Sequence, residues 1–187
     1  MARVWDAHRL ARFGVAAETA LEGIGARAMT PRVAPPAELA SQGLEADDQE
    51  DPPSRPALDE LLGRLDVPRI GLSAAVREGV GDATLDVAIG HIPGSALPGT
   101  DGNAALAAHR DTEFGTLRNI RVGDEIVFAG PAGASRYRVS WARVLPPYRT
   151  DVLKTTLGSA ELTLVTCYPF GYVGRAPKRF VVRATKV

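Results

Sequence analysis

Glu161-Leu162-Thr163-Leu164-Val165-Thr166-Cys167-Tyr168-Pro169-Phe170-Gly171 is the stretch on which the fold turns. Its first half, aliphatic and β-branched, reads as a buried strand. Pro169 has no N–H to give to a ladder, so the strand ends near Cys167. The thiol therefore stands at a strand tip, beside an aromatic- and glycine-rich loop from Tyr168 to Gly174. Functional groups gather at such tips, whereas a structural cysteine sits more comfortably in mid-strand. Cys167 is the single cysteine of the chain, so no intramolecular disulfide holds the fold. By frequency alone a lone cysteine is a small buried hydrophobe. The sharper reading, a nucleophile, needs a partner histidine elsewhere in the chain.

Working outward, short strand-like runs recur between Gly, Pro and Asp: 66–70, 104–109, 125–128, 136–145, 161–167 and 179–185. Arg136 to Trp141 is rich in aromatic and β-branched residues. Many short strands with turn signals between them predict a mainly β domain, a barrel or a sandwich. Short helices are expected at 58–65, at 82–88 with Asp82 as N-cap, and at 112–120 burying Phe114 and Leu117. This folded domain is expected over 58–187. Residues 1–28 read as a modestly amphipathic helix. Residues 29–57 hold Pro31, Pro35, Pro36, Pro52, Pro53, Pro56 and the acidic run from Glu45 to Asp51. So polar a segment buries too little to offset its ordering entropy, and it reads as a flexible linker.

Lys plus Arg total 22 and Asp plus Glu total 22, a balance that excludes the basic excess of a nucleic-acid binder. No run of about 20 apolar residues suggests a membrane span. Nor is there a signal-peptide pattern.

A second strand ends on a reactive group. Asn103-Ala104-Ala105-Leu106-Ala107-Ala108-His109-Arg110-Asp111-Thr112 is a small, apolar run that closes on His109. Arg179, in Pro177-Lys178-Arg179-Phe180-Val181-Val182-Arg183, opens the strand that follows the cysteine loop. If those two strands pair antiparallel, Arg179 comes near Cys167, where it can donate to a substrate carbonyl or a developing oxyanion. Arg175 and Arg183 are its rivals, and Arg183 shares its side-chain parity. His91, before Ile92-Pro93-Gly94, reads as a turn histidine with a structural or groove-shaping role. Asp111 either orients His109 or, preferably, caps the following helix. Thr166 is open between an oxyanion-pocket role and an ordinary strand residue. His8 lies far from every motif and is assigned nothing.

Thr163-Leu164-Val165-Thr166-Cys167, Ala107-Ala108-His109-Arg110-Asp111-Thr112 and Lys178-Arg179-Phe180-Val181-Val182 resemble the three signatures of the sortase family. The resemblance runs from about residue 65 to 187. Cys167-Tyr168-Pro169-Phe170 and Gly90-His91-Ile92-Pro93-Gly94-Ser95 are most similar to class D sortases. It implies an eight-stranded β-barrel with a few short helices and the site at one end of a groove. It implies that Cys167 attacks the carbonyl after Thr in a Leu-Pro-X-Thr-type sorting signal, forming a thioacyl enzyme. His109 then serves as acid and base, Arg179 steadies the oxyanion, and His91, Val165 and Thr166 are candidate substrate-binding residues. No metal or organic cofactor is implied. The implied partners are signal-bearing proteins and an amine acceptor. The implied location is the extracytoplasmic face of the membrane, against which stands the alternative of a soluble enzyme without an anchor. A hydrolysing cysteine endopeptidase and a non-catalytic barrel with an inert Cys167 are the competing functions. Leu97-Pro98-Gly99-Thr100 itself resembles a sorting signal, but Asp101 follows it and it reads as a Pro/Gly turn.

Overall fold

The computed structural model describes residues 55–154 and 158–187. The helix expected over 1–28 and the linker as far as residue 54 lie outside the described residues. The described chain folds into a closed β-barrel. Its strands are β1 (Leu61–Val67), β2 (Leu72–Glu78), β3 (Ile89–His91), β4 (Gly102–Ala107), β5 (Glu125–Gly130), β6 (Gly133–Leu145), β7 (Ala160–Tyr168) and β8 (Lys178–Lys186). Around the barrel the order is β1-β2-β3-β4-β7-β8-β6-β5, with β1 closing onto β5. Closure leaves no unpaired edge to template aggregation. The β2–β3 and β4–β7 pairs are parallel and the others antiparallel.

The helix expected over 58–65 is instead the start of β1. Leu62 and Leu65 are buried three positions apart, a helical spacing. The cause is a bulge: the β1–β2 register shifts between Leu61 and Gly63, which swaps the inward parity from Leu62 to Leu65 and Val67. Gly63 has φ 152°, and a Cβ there would stand 2.3 Å from the Ala129 carbonyl oxygen. The strand expected over 66–70 ends at Val67, because Pro68–Ile70 winds into a 3-10 turn. The helix expected over 82–88 is only Asp82–Leu85; its N-cap is Gly81, so Asp82 is not the cap. Glu113–Asn119 is a 3-10 helix that buries Phe114 and Leu117 as expected. Its N-cap is Thr112, without a side-chain capping bond, so Asp111 does not cap it either. His91 closes strand β3 rather than standing in a turn.

Two apolar layers use opposite faces of the same strands. Leu106, Leu162, Leu164 and Val182 point into the barrel with Leu65, Ile89, Phe114 and Tyr137. Ala105 and Ala107 pack outward under Val80, Leu85, Ile92 and Leu153. Every residue of β4 is buried, which explains a run without polar alternation. Its alanines are small enough to let the covering segments approach the sheet.

Leu97-Pro98-Gly99-Thr100 is a turn, closed by the Thr100 N–H donating to the Leu97 carbonyl at 3.1 Å. Tyr137 Oη accepts from the Gly99 N–H at 2.6 Å, and Lys186 Nζ donates to the Gly99 carbonyl at 2.7 Å. It precedes the first residue of β4, at the opposite end of the barrel from Cys167.

Candidate active site

Cys167 is the penultimate residue of β7 and Arg179 the second of β8. The antiparallel register pairs them directly. On the other side of β7 lies β4, parallel, with Ala107 opposite Val165. The same offset carried two residues past the end of β4 brings His109 level with Cys167. Cys167 and Arg179 thus face each other across β7 and β8, on the outer face that also carries Ala107, Val165 and Val181, at the sheet end where the chain leaves β4 for His109.

The sulfur is nearly inaccessible, Cys167 being 1% exposed. Burial pushes its thiol above the ordinary cysteine range; Arg179 and then Arg110 pull it back, and Asp111 adds a small upward push. Below the thiol's pKa, the thiolate fraction grows about tenfold for each pH unit. Alkylation of Cys167 by iodoacetamide is therefore expected to rise by about that factor per unit between about pH 6 and 8. A plateau at neutral pH would instead reveal a thiolate held by an ion pair in the resting enzyme.

His109 is mostly covered, with its side chain 15% exposed. Its Nε2 stands 3.8 Å from Asp86 Oδ1, an ion-pair distance and not a hydrogen bond. Its Nδ1 is buried and has no hydrogen-bond partner among the described residues, so one ring nitrogen is uncommitted. Thr166 is fully buried and donates Oγ1–H to the Ala108 carbonyl at 2.8 Å. That bond ties the cysteine strand to the residue before His109. The Thr166 hydroxyl is thus spent on a bond to the neighbouring strand.

Arg179 Nη1 donates to the Ala176 and Lys178 carbonyls, at 3.1 and 2.9 Å. These bonds brace the guanidinium at the end of the cysteine loop. Arg183, its rival by parity, pairs with Glu161 and donates to the Val152 carbonyl, further down the same face. Arg175 is exposed in the loop between β7 and β8. His91 stands elsewhere: its Nδ1 lies 2.5 Å from Glu78 Oε2, and its Nε2 lies 2.9 Å from the Ala96 carbonyl oxygen and from Ser95 Oγ. At 2% exposure and with both nitrogens engaged, its ring fastens β2, β3 and the following loop together, in keeping with the structural role read from the sequence.

Arg110, which the sequence reading passed over, stands close to the thiol and its loop. It is 7% exposed and donates Nη2 to the carbonyls of Tyr172 and Gly174. It holds the cysteine loop in place and adds positive charge near the thiol. Its place directly after His109 was the available signal. Tyr168, Phe170 and Phe180 pack against one another behind the same loop, and the Arg118 guanidinium lies 5.6 Å from the Phe170 ring centroid.

Beside Arg179 opens a crevice walled by Ile92, Val165, Val181, Pro146, Val152 and Leu153. It is apolar apart from Arg179 at one end and Arg149 and Thr150 at the rim. Val165 lines this crevice, two positions before Cys167 on β7. Asp124 and Glu125 are committed to Arg69 and Arg136.

Residues 65–187 match the model of the sortase domain. Sortase D of Bacillus subtilis is 30% identical over 133 residues, which make up 71% of this chain and 67% of that protein. Among solved structures, a sortase D5 transpeptidase from Clostridium perfringens is similar with a TM-score of 0.64 at 29% identity, covering 70% of this chain and 81% of that one. Sortase A from Corynebacterium diphtheriae gives a TM-score of 0.65 at 28% identity, over 70% and 62% of the two chains.

Proposed function

The chain belongs to the sortase family and is a cysteine transpeptidase, and from that premise we propose that Cys167, His109 and Arg179 carry the transfer. The observation that supports this reading is the alignment of those residues at one sheet end, through the β7–β8 register and the β4–β7 offset. The Cys167 thiol passes its proton to His109, and the thiolate attacks the carbonyl carbon of the scissile peptide bond. The oxyanion that develops is met by the Arg179 guanidinium. His109 delivers a proton to the leaving amine as the C–N bond breaks, which leaves a thioester on Cys167. An incoming amine loses a proton to His109, attacks the thioester carbon and expels the Cys167 thiolate, which takes that proton back from His109. An amide is formed for the amide broken, so no oxidant or reductant is consumed.

Sortases act on sorting-signal proteins and amine acceptors, at the cell envelope. For this chain we assign the signal to the Leu-Pro-X-Thr type, cleaved after Thr. Its apolar residues are placed along the crevice walled by Val165, Val181, Ile92 and Val152. An apolar wall with a cation at its reactive end suits an uncharged, proline-bearing peptide whose carbonyl must reach Arg179. No described helix is long and apolar enough to cross a membrane; we place the catalytic domain at the extracytoplasmic face of the membrane.

The test is mass spectrometry of the protein mixed with a small set of Leu-Pro-X-Thr peptides, with and without an added amine. A thioester adduct on Cys167 and an amine-joined product are expected. An adduct that yields only hydrolysed peptide, whatever amine is offered, would make the enzyme an endopeptidase. The absence of any adduct would overturn the assigned signal.

A further inference from the structure

The 3-10 turn Asp151–Leu153, between β6 and β7, carries Val152 and Leu153 into the wall of the crevice. What holds it there is polar and buried. Asn103, on β4, is 0% exposed. Its Nδ2 donates to the carbonyls of Val152 and Lys154, at 3.0 and 3.2 Å. Its Oδ1 accepts from Thr163 Oγ1 at 2.6 Å. The hydroxyl already donates to the amide oxygen, so the amide nitrogen is the end turned to the carbonyls. Arg183, on β8, donates Nη2 to the same Val152 carbonyl at 2.5 Å and Nη1 to Glu161. Its guanidinium also lies 5.7 Å from the Trp141 ring centroid.

The register explains the convergence. Asn103 stands opposite Glu161, and Thr163 opposite Arg183. Neighbouring positions on this face of β4 hold alanine under an apolar cover. A polar cluster buried here is costly unless its members find partners, and the carbonyls of the turn supply them to the Asn103 amide and to Arg183 Nη2, while Arg183 Nε has no hydrogen-bond partner among the described residues.

We propose that Asn103 and Arg183 are positioning residues of the substrate crevice: by gripping the Val152 carbonyl they hold the turn Asp151–Leu153 against the sheet, so the crevice wall stands formed before a peptide arrives. Neither touches the reacting atoms. Their effect is on recognition, because a preformed wall spares the peptide the cost of ordering it. The functional part of this rests on the crevice receiving the sorting signal.

Asn103→Asp is the sharpest variant. It keeps the volume and the acceptor for Thr163, but turns a carboxylate oxygen toward the Val152 and Lys154 carbonyls. Hydrogen exchange at the Leu153 and Lys154 amides, which bond within the turn, is expected to accelerate about tenfold or more relative to amides of β7. KM for the peptide is expected to rise roughly three- to tenfold, with kcat per titratable Cys167 within about twofold. Arg183→Gln should reproduce both effects, and it carries the test should Asn103→Asp fail to fold. A merely structural role would lower the melting midpoint and the titratable thiol while leaving KM in place. Unchanged exchange at the turn, or faster exchange with the wild-type KM, would overturn the proposal. A wild-type enzyme that processes no peptide would sink the functional reading instead, and exchange would still judge the latch.

Discussion

Cys167→Ala is expected to abolish both cleavage and transfer, by at least about 10⁴-fold, because no other group in the site can form the acyl intermediate. Cys167 is the single cysteine of the chain. Mass spectrometry of the variant with signal peptide should show no covalent adduct. The barrel should persist. Cys167 sits near the end of β7, and its side chain points to the outer layer rather than into the barrel among Leu162 and Leu164. Removing one buried sulfur costs about 1 kcal/mol or less where the neighbours can close in. A far-ultraviolet spectrum like the wild type, together with a melting midpoint only a few degrees lower, would locate the loss in the chemistry. Retained transfer would sink the mechanism outright.

His109→Ala should lower turnover by about 10²–10⁴-fold, the range for loss of a positioned proton donor. The peptide's leaving group is an amine, which cannot depart as an anion. A thioester in place of the scissile amide has a leaving group that departs without a proton. Acylation of His109→Ala by that analogue should therefore recover most of the lost rate, although the second step, in which an amine must lose a proton, stays slow. Equal losses on both substrates would show that His109 acts by some route other than protonating the leaving group. The structural ground for this test is the buried Nδ1 without a hydrogen-bond partner among the described residues, beside an Nε2 that faces Asp86.

Much of the barrel was legible. β5, β6, β7 and β8 fall where β-branched and aromatic runs lie between turn residues, because such runs suit a half-buried pleated surface. What was misread has local causes. The β1 bulge at Gly63 put buried leucines at helical spacing. β2 and β3 escaped because Leu72–Glu78 and Ile89–His91 lack a clear alternating pattern. His91 was given a place in a turn; nothing in its neighbours foretold Glu78, thirteen positions away, as its partner. Asp82 and Asp111 suit caps by residue type, yet neither occupies a cap position.

The sequence by itself determined the chemistry on offer: a thiol, an imidazole and a guanidinium, each at the end of a β run, in motifs specific enough to name the family. Strand tips are readable because proline, glycine and polarity mark where a ladder stops. Only the tertiary structure decided that the tips meet. The parallel β4–β7 pairing joins residues 58 positions apart, as in Ala107 with Val165, and no local pattern encodes such a register. It likewise separated the two candidate arginines. Arg179 and Arg183 are indistinguishable by parity, but one lies opposite Cys167 while the other is committed to Glu161 and Val152. Burial then raised the thiol and left Asn103 to grip a loop, since desolvation and buried hydrogen bonding depend on neighbours the closed barrel assembles from distant parts of the chain.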